Sequence, residues 1–163
     1  MKNSIFLLAV FTTFWMFGCN QAQNNNSQTA DETKTATSDR RCYVALTGTD
    51  TADLKITTAK DGKVTGDLLM KYGVKPNEVE RVINKGKVEG NFHGDTLFLN
   101  YLYTSGNLNN TLYQNPLALL KNGDQLILGV GEIQNSVGRS YFVKNKPIDF
   151  EKGRFKFMPA DCK

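Results

Sequence analysis

The chain has 163 residues, 40% of them apolar and 22% charged, with a formal net charge of +4 at neutral pH. That length suits one domain. The charge is too small, and lysines such as Lys55, Lys60, Lys63 and Lys71 too scattered, to make the basic face of a nucleic-acid binder. A single histidine, His93, excludes a histidine-pair metal site or a multi-histidine relay.

Lys2 gives the chain a positive start, and residues 5–17 form an uncharged, mostly apolar run. Such a run suits the hydrophobic region of an export signal and is too short for a helix crossing a ~30 Å hydrocarbon core. Gly18 and Cys19 follow directly. Met16-Phe17-Gly18-Cys19 resembles the bacterial lipobox, in which a small residue precedes a cysteine that receives diacylglycerol. The resemblance implies cleavage before Cys19 and acylation at that residue, with each buried methylene contributing about 0.8 kcal/mol to membrane attachment. Asn20 stands where an aspartate retains some lipoproteins at the inner membrane. The expected address is therefore the cell envelope, lipid-anchored, at the outer membrane.

Residues 20–41 contain no Val, Ile, Leu, Met or aromatic side chain. Such a segment buries too little apolar surface to offset the entropy of ordering, and it reads as a flexible tether. As a random coil it would span about 25 Å. The expected organisation is a signal peptide over 1–18, a lipid-anchored tether over 19–41 and a folded domain over 42–163. With Cys19 taken by lipid, Cys42 and Cys162 remain as an even pair in an oxidising compartment, and a disulfide between them is expected.

From residue 42 onward, short alternating runs are punctuated by Gly, Asp and Asn. Strands are expected at 42–47, 53–58, 64–72, 86–92 and 96–104. Asp61-Gly62 signals a hairpin between the second and third of these. Residues 111–120 suit a strand or a short helix, Pro116 weakening a central strand. Further strands are expected at 125–133, 139–144 and 153–158, and residues 75–84 are expected to be a loop with at most a turn or two of helix. The regular spacing predicts an all-β domain, an antiparallel up-and-down barrel of about eight strands, with a β-sandwich as the alternative. Gly66, Gly90, Gly129 and Gly131 would let strands bend at its corners.

The folded part resembles a recurrent type of small bacterial lipoprotein. The likeness rests on Cys42-Tyr43, Val64-Thr65-Gly66-Asp67-Leu68, Gly94-Asp95-Thr96-Leu97, Gly129-Val130-Gly131-Glu132 and Asp161-Cys162. It implies a barrel only distantly like the lipocalin and calycin group, and no activity. The Gly-x-Trp of a lipocalin first strand is missing, since the one tryptophan, Trp15, lies in the signal segment.

No constellation for catalysis emerges. Gly129-Val130-Gly131 lacks the third glycine of a phosphate cradle, His93 reads as a solvated turn residue, and Asp67 and Glu132 fall in outward register. Tyr101 and Tyr103 share a strand face with Leu97 and Leu99, while Phe98 and Leu102 share the other. They are either core or the walls of a ligand cavity, with hydroxyls to orient what binds. The expectation is a non-enzymatic binding module without cofactor or metal, taking a small apolar or amphipathic ligand. The alternative is a structural or assembly protein that contacts another envelope protein.

Overall fold

The computed structural model describes residues 39–74, 76–77, 79–136 and 139–163. The signal peptide, Cys19 and most of the tether lie outside these residues. Strands β1 (Asp39–Thr47), β2 (Asp50–Thr58), β3 (Lys63–Lys71), β4 (Ile83–His93), β5 (Thr96–Ser105) and β6 (Tyr113–Asn122) follow one another as a meander. After them come β7 (Gln125–Leu128), β8 (Ile133–Ser136), β9 (Arg139–Phe142) and β10 (Lys156–Ala160). Eight close an antiparallel barrel in the order β1-β10-β7-β6-β5-β4-β3-β2, and β8 and β9 pair separately. The up-and-down barrel read from strand spacing is the fold observed; the sandwich alternative is not.

Alternation decides which side chains fill the barrel. Leu54 and Ile56 of β2, Val64 and Leu68 of β3, Val88 of β4, and Leu97, Leu99 and Tyr101 of β5 all point inward and are buried. They meet Tyr43, Leu119, Leu126, Phe155 and Phe157 in one core cluster. Cross-strand partners such as Leu54 with Leu68, and Val88 with Tyr101, place side chains of that cluster directly opposite each other. A barrel of this strand number is just wide enough for its own side chains, and here they occupy most of it.

Three inward glycines, Gly66, Gly86 and Gly90, let the sheet close. A Cβ on Gly66 would lie 2.0 Å from the carbonyl oxygen of Lys55, and one on Gly90 would lie 1.8 Å from that of Phe98. No other residue fits where neighbouring backbones approach so closely. The seam between β1 and β10 pairs Cys42 with Ala160, Tyr43 with Pro159 and Val44 with Met158. Beside it Cys42 and Cys162 form a disulfide, their Cα atoms 5.2 Å apart and their positions separated by 120 in sequence.

The structure departs from the sequence reading at four places and decides one that it left open. β1 begins at Asp39, so 39–41 belong to the barrel and not to the tether, their backbones paired with Ile56, Thr57 and Thr58. The segment left open between strand and short helix is a strand, Tyr113–Asn122, and it accommodates Pro116. The reason lies in its neighbours: β6 pairs with β7 only over Leu119–Asn122. Ala118 O accepts from Gly129 N on the β7 side, so the ring nitrogen of Pro116, two residues earlier, also faces away from β5, where no ladder bond is required.

The expected strand over 125–133 stops at Leu128. A Cβ on Gly129 would come within 2.4 Å of Ile148 Cγ2, so side chains of the following excursion pack against this backbone and take the place of a continuing strand. The 139–144 segment is part of the separate β8–β9 hairpin rather than a barrel strand, with Phe142 edge-on to Phe98 at 6.5 Å. The last barrel strand lies at Lys156–Ala160, shifted from the expected 153–158, and Phe155 and Phe157 point into the core as their spacing predicts. Among the described residues there is no helix, including the 76–77 and 79–82 parts of the loop between β3 and β4.

Candidate functional site

The two ends of the barrel differ. One has short turns at 59–62, 94–95 and 123–124, and the chain enters there at Asp39. The other, where β1, β3, β5 and β7 finish, carries the long connections 72–82 and 106–112 and the excursion 129–155. A recess of about 240 Å³ opens at this second end, the mouth. Met70, Leu117, Leu128 and Phe155 supply apolar walls, and Tyr72, Tyr101 and Tyr103 line it with rings.

Both tyrosines picked out by sequence line this recess. Tyr101 is 2% exposed, and its hydroxyl donates to the carbonyl oxygen of Leu68 at 3.0 Å, so it belongs to the core and forms the floor. Tyr103 stacks on it, centroids 4.5 Å apart and planes within 14°. Tyr113 extends the series at 5.6 Å from Tyr103 and is 41% exposed, so the rings lead from the core to the surface. Burial raises the Tyr101 pKa well above the usual tyrosine value, with Tyr72 and Tyr103 adding to it. Tyr103 is raised by burial too, while a hydrogen bond from Asn115, Nδ2 to Oη at 3.0 Å, opposes the shift. Tyr72 is raised by burial and by Tyr103, against the pull of Arg154 and a hydrogen bond from Asn84. A phenolate is disfavoured throughout the recess because the surroundings solvate charge poorly.

Sequence reading missed the polar groups that complete the site. Asn84 sits at an inward position of β4 opposite Met70. Its Oδ1 is buried and has no hydrogen-bond partner among the described residues. The signal is present: extending the inward phase of Val88 and Gly86 back by two residues reaches Asn84, at the end of a segment, 75–84, whose spacing reads as loop. Asn115 was hidden by the strand-or-helix ambiguity of its segment. Asp50 and Arg154 carry no local signal at all, being 104 positions apart. At the rim the Asp50 carboxylate, 8% exposed, is ion-paired with the Arg154 guanidinium and accepts from Gly73 N at 2.7 Å. Thr47 Oγ1 donates to the Arg154 carbonyl, fixing that loop to the end of β1.

The remaining candidates are solvated. Asp67 pairs with Lys87 at 2.6 Å and Glu132 with Lys146 at 3.6 Å, both carboxylates more than half exposed, Asp67 through its outward register on β3 and Glu132 beyond the end of β7. His93 is exposed at the last position of β4, one residue before the turn, edge-on to Phe98 at 5.7 Å. Two larger hollows of about 620 Å³ each lie on the outer wall. One runs past Lys63, Asp67, Lys87 and Glu89, whose charges pair across strands; the other adjoins the chain end, where Lys55 Nζ donates to the Lys163 carbonyl at 2.6 Å. Each also adjoins inward positions of its strands, Val88 in the first and Tyr43, Leu54 and Leu68 in the second.

Fold and site together define an all-β protein with a closed eight-stranded antiparallel barrel, compatible with a lipocalin-like fold and furnished with a tyrosine-lined recess at one end. Compared with protein-family models, curated proteins and solved structures, the chain matches none.

Proposed function

We propose that this chain is an envelope lipoprotein, anchored at the outer membrane through acylated Cys19, whose barrel binds a small apolar or amphipathic ligand at its mouth without catalysing a reaction. The observation that carries the reading is the recess: a concave, mostly apolar space with a few polar atoms converging on it, the usual make-up of a small-molecule site. The distant likeness to lipocalins is supported by the sequential meander and by the position of the hollow inside one end of the barrel. The chain enters the barrel at Asp39, at the end opposite the mouth.

Titrating the isotope-labelled protein with toluene and with 1-hexanol tests the binding reading by nuclear magnetic resonance. Shifts confined to Tyr103, Asn115, Leu117 and Leu128 support it. Shifts on the outer wall, or none, contradict it. For the anchor, Cys19→Ala is expected to move the protein from the membrane fraction to the soluble one, and an unchanged membrane fraction would sink that part.

A second reading, an assembly protein that meets another envelope protein, is favoured by the filled lower barrel and by apolar loop tips near the mouth. Val79 and Leu108 are 98% and 97% exposed, and Leu112 is 64% exposed.

A further inference from the structure

Large apolar side chains left in water are divided unevenly between the two ends of the barrel. At the closed end the turns carry small, polar or charged residues, Ala59-Lys60-Asp61-Gly62, Gly94-Asp95 and Gly123-Asp124, and Phe92 beside them is 37% exposed. Around the mouth, Leu46 is exposed near the end of β1, Val74 and Val79 on the 72–82 connection, and Leu108, Leu112 and Tyr113 along and just after the 106–112 connection. Removing apolar surface from water is the main favourable term in association, so the mouth end gains far more from a contact than the closed end does.

The form of the rim favours a bilayer over a protein partner. Val79 and Leu108 stand on separate connections and, almost wholly exposed, touch little of their own chain. Acyl chains flow round each such tip, whereas a protein needs a matching hollow for every one. The 106–112 connection carries no charge and satisfies part of its own polarity: Asn109 Oδ1 accepts from Thr111 N at 2.9 Å, and Asn109 Nδ2 donates to Tyr113 Oη at 3.1 Å. Fewer polar groups therefore lose water when Leu108 and Leu112 leave it. The described charges of the 72–82 connection are Glu80 and Arg81, one of each sign, so no excess charge directs this end. Reach is sufficient as well. Residues 20–38 extend at most ~65 Å, while the 11 residues of β4 run about 36 Å. A chain anchored at Cys19 and entering at the opposite end is thus long enough for the mouth to meet the bilayer.

We infer that the mouth rim docks on a phospholipid bilayer, with Val79, Leu108 and Leu112 entering the boundary between headgroups and acyl chains and Tyr113 at the headgroup level. The inference rests on the envelope reading above, which supplies a bilayer within reach. The recess then opens towards lipid, the phase in which an apolar ligand concentrates.

Cleavage before Cys19 removes Trp15, the one tryptophan of the chain, so a tryptophan placed on the barrel reports alone, with the unsubstituted lipoprotein as the blank. The full acylated lipoprotein carrying Leu108→Trp, Leu112→Trp or Lys60→Trp is reconstituted in vesicles of phosphatidylethanolamine and phosphatidylglycerol, with and without bromine on the acyl chains. Fluorescence is read on vesicles collected by flotation. The expected result is strong bromine quenching for Leu108→Trp and Leu112→Trp, unchanged in about 1 M salt, where attraction between charges is screened, and none for Lys60→Trp at the closed end. Adding Val79→Glu and Leu108→Glu to the Leu112→Trp chain is expected to abolish its quenching, at positions too exposed to disturb folding. An unquenched Leu112→Trp on floated vesicles overturns the docking, leaves the anchor standing and assigns the rim to a protein partner. Quenching equal to that of Lys60→Trp, or quenching that survives both glutamates or vanishes in salt, also overturns it. Protein that does not float overturns docking and anchor together.

Discussion

Replacing both Cys42 and Cys162 by serine removes the one covalent link across the barrel seam. The bond joins positions separated by 120 in sequence, and the chain-entropy relation for a loop of that size gives about 5 kcal/mol at 25 °C. Little of this is expected back from the folded side, because the three β1–β10 pairs at Cys42, Tyr43 and Val44 persist without the sulfurs. The effect therefore falls mainly on the unfolded ensemble, which gains the freedom to separate its ends. Strain and residual structure reduce such values, so the expected loss is about 3 to 5 kcal/mol. With a urea dependence of about 2 kcal/mol per molar, the unfolding midpoint drops by about 2 M. The assay is urea unfolding followed by far-ultraviolet circular dichroism, on the oxidised parent, the chemically reduced parent and the double-serine variant. The last two should agree. A loss below about 1 kcal/mol would refute the reasoning, since the unfolded ends would then already be held together by something other than the bond.

Tyr101→Phe deletes the buried hydroxyl that donates to Leu68 O at 3.0 Å and is expected to cost about 1 kcal/mol, read as a lower urea midpoint with unchanged slope. Arg154→Met leaves the buried Asp50 carboxylate with Gly73 N as its remaining donor among the described residues. The expected loss is about 2 kcal/mol by the same melt, less than for a fully buried pair because the arginine side chain is largely exposed. Tyr72, Tyr101 and Tyr103 hold their protons more tightly in the folded barrel, chiefly because burial disfavours the phenolate. The unfolded chain releases those protons near the ordinary tyrosine pKa of about 10. Their contribution is thus complete below about pH 10 and is lost as pH rises beyond it. Urea midpoints that fall steeply between about pH 9 and pH 11, with late phenolate absorbance, check this; a flat profile contradicts it.

Much of the barrel was readable because period-two alternation is written into single strands. Leu54 and Ile56, Val64 and Leu68, and Leu97 to Tyr103 showed both the strand and its buried face without any knowledge of neighbours. The failures share a cause, in that each depended on a partner far away in sequence. Pro116 is tolerated because β7 is too short to need its nitrogen, and the break after Leu128 reflects side chains of Ile148 and Phe150 packed against Gly129. In the recess, Tyr101 and Tyr103 stood out as aromatic residues in register with aliphatic ones. Asn84 falls in a segment that reads as loop, Asn115 in one that reads equally as strand or helix, and Asp50 and Arg154 become a pair only once the barrel closes.

The central claim is that the mouth holds a ligand, and native mass spectrometry of the full-length lipoprotein, extracted gently from its own host, tests it most directly. The account predicts the acylated chain carrying one small apolar or amphipathic adduct, and loss of that adduct when Leu117→Trp fills the recess. A bare chain in both preparations, or an adduct that survives Leu117→Trp, would contradict it.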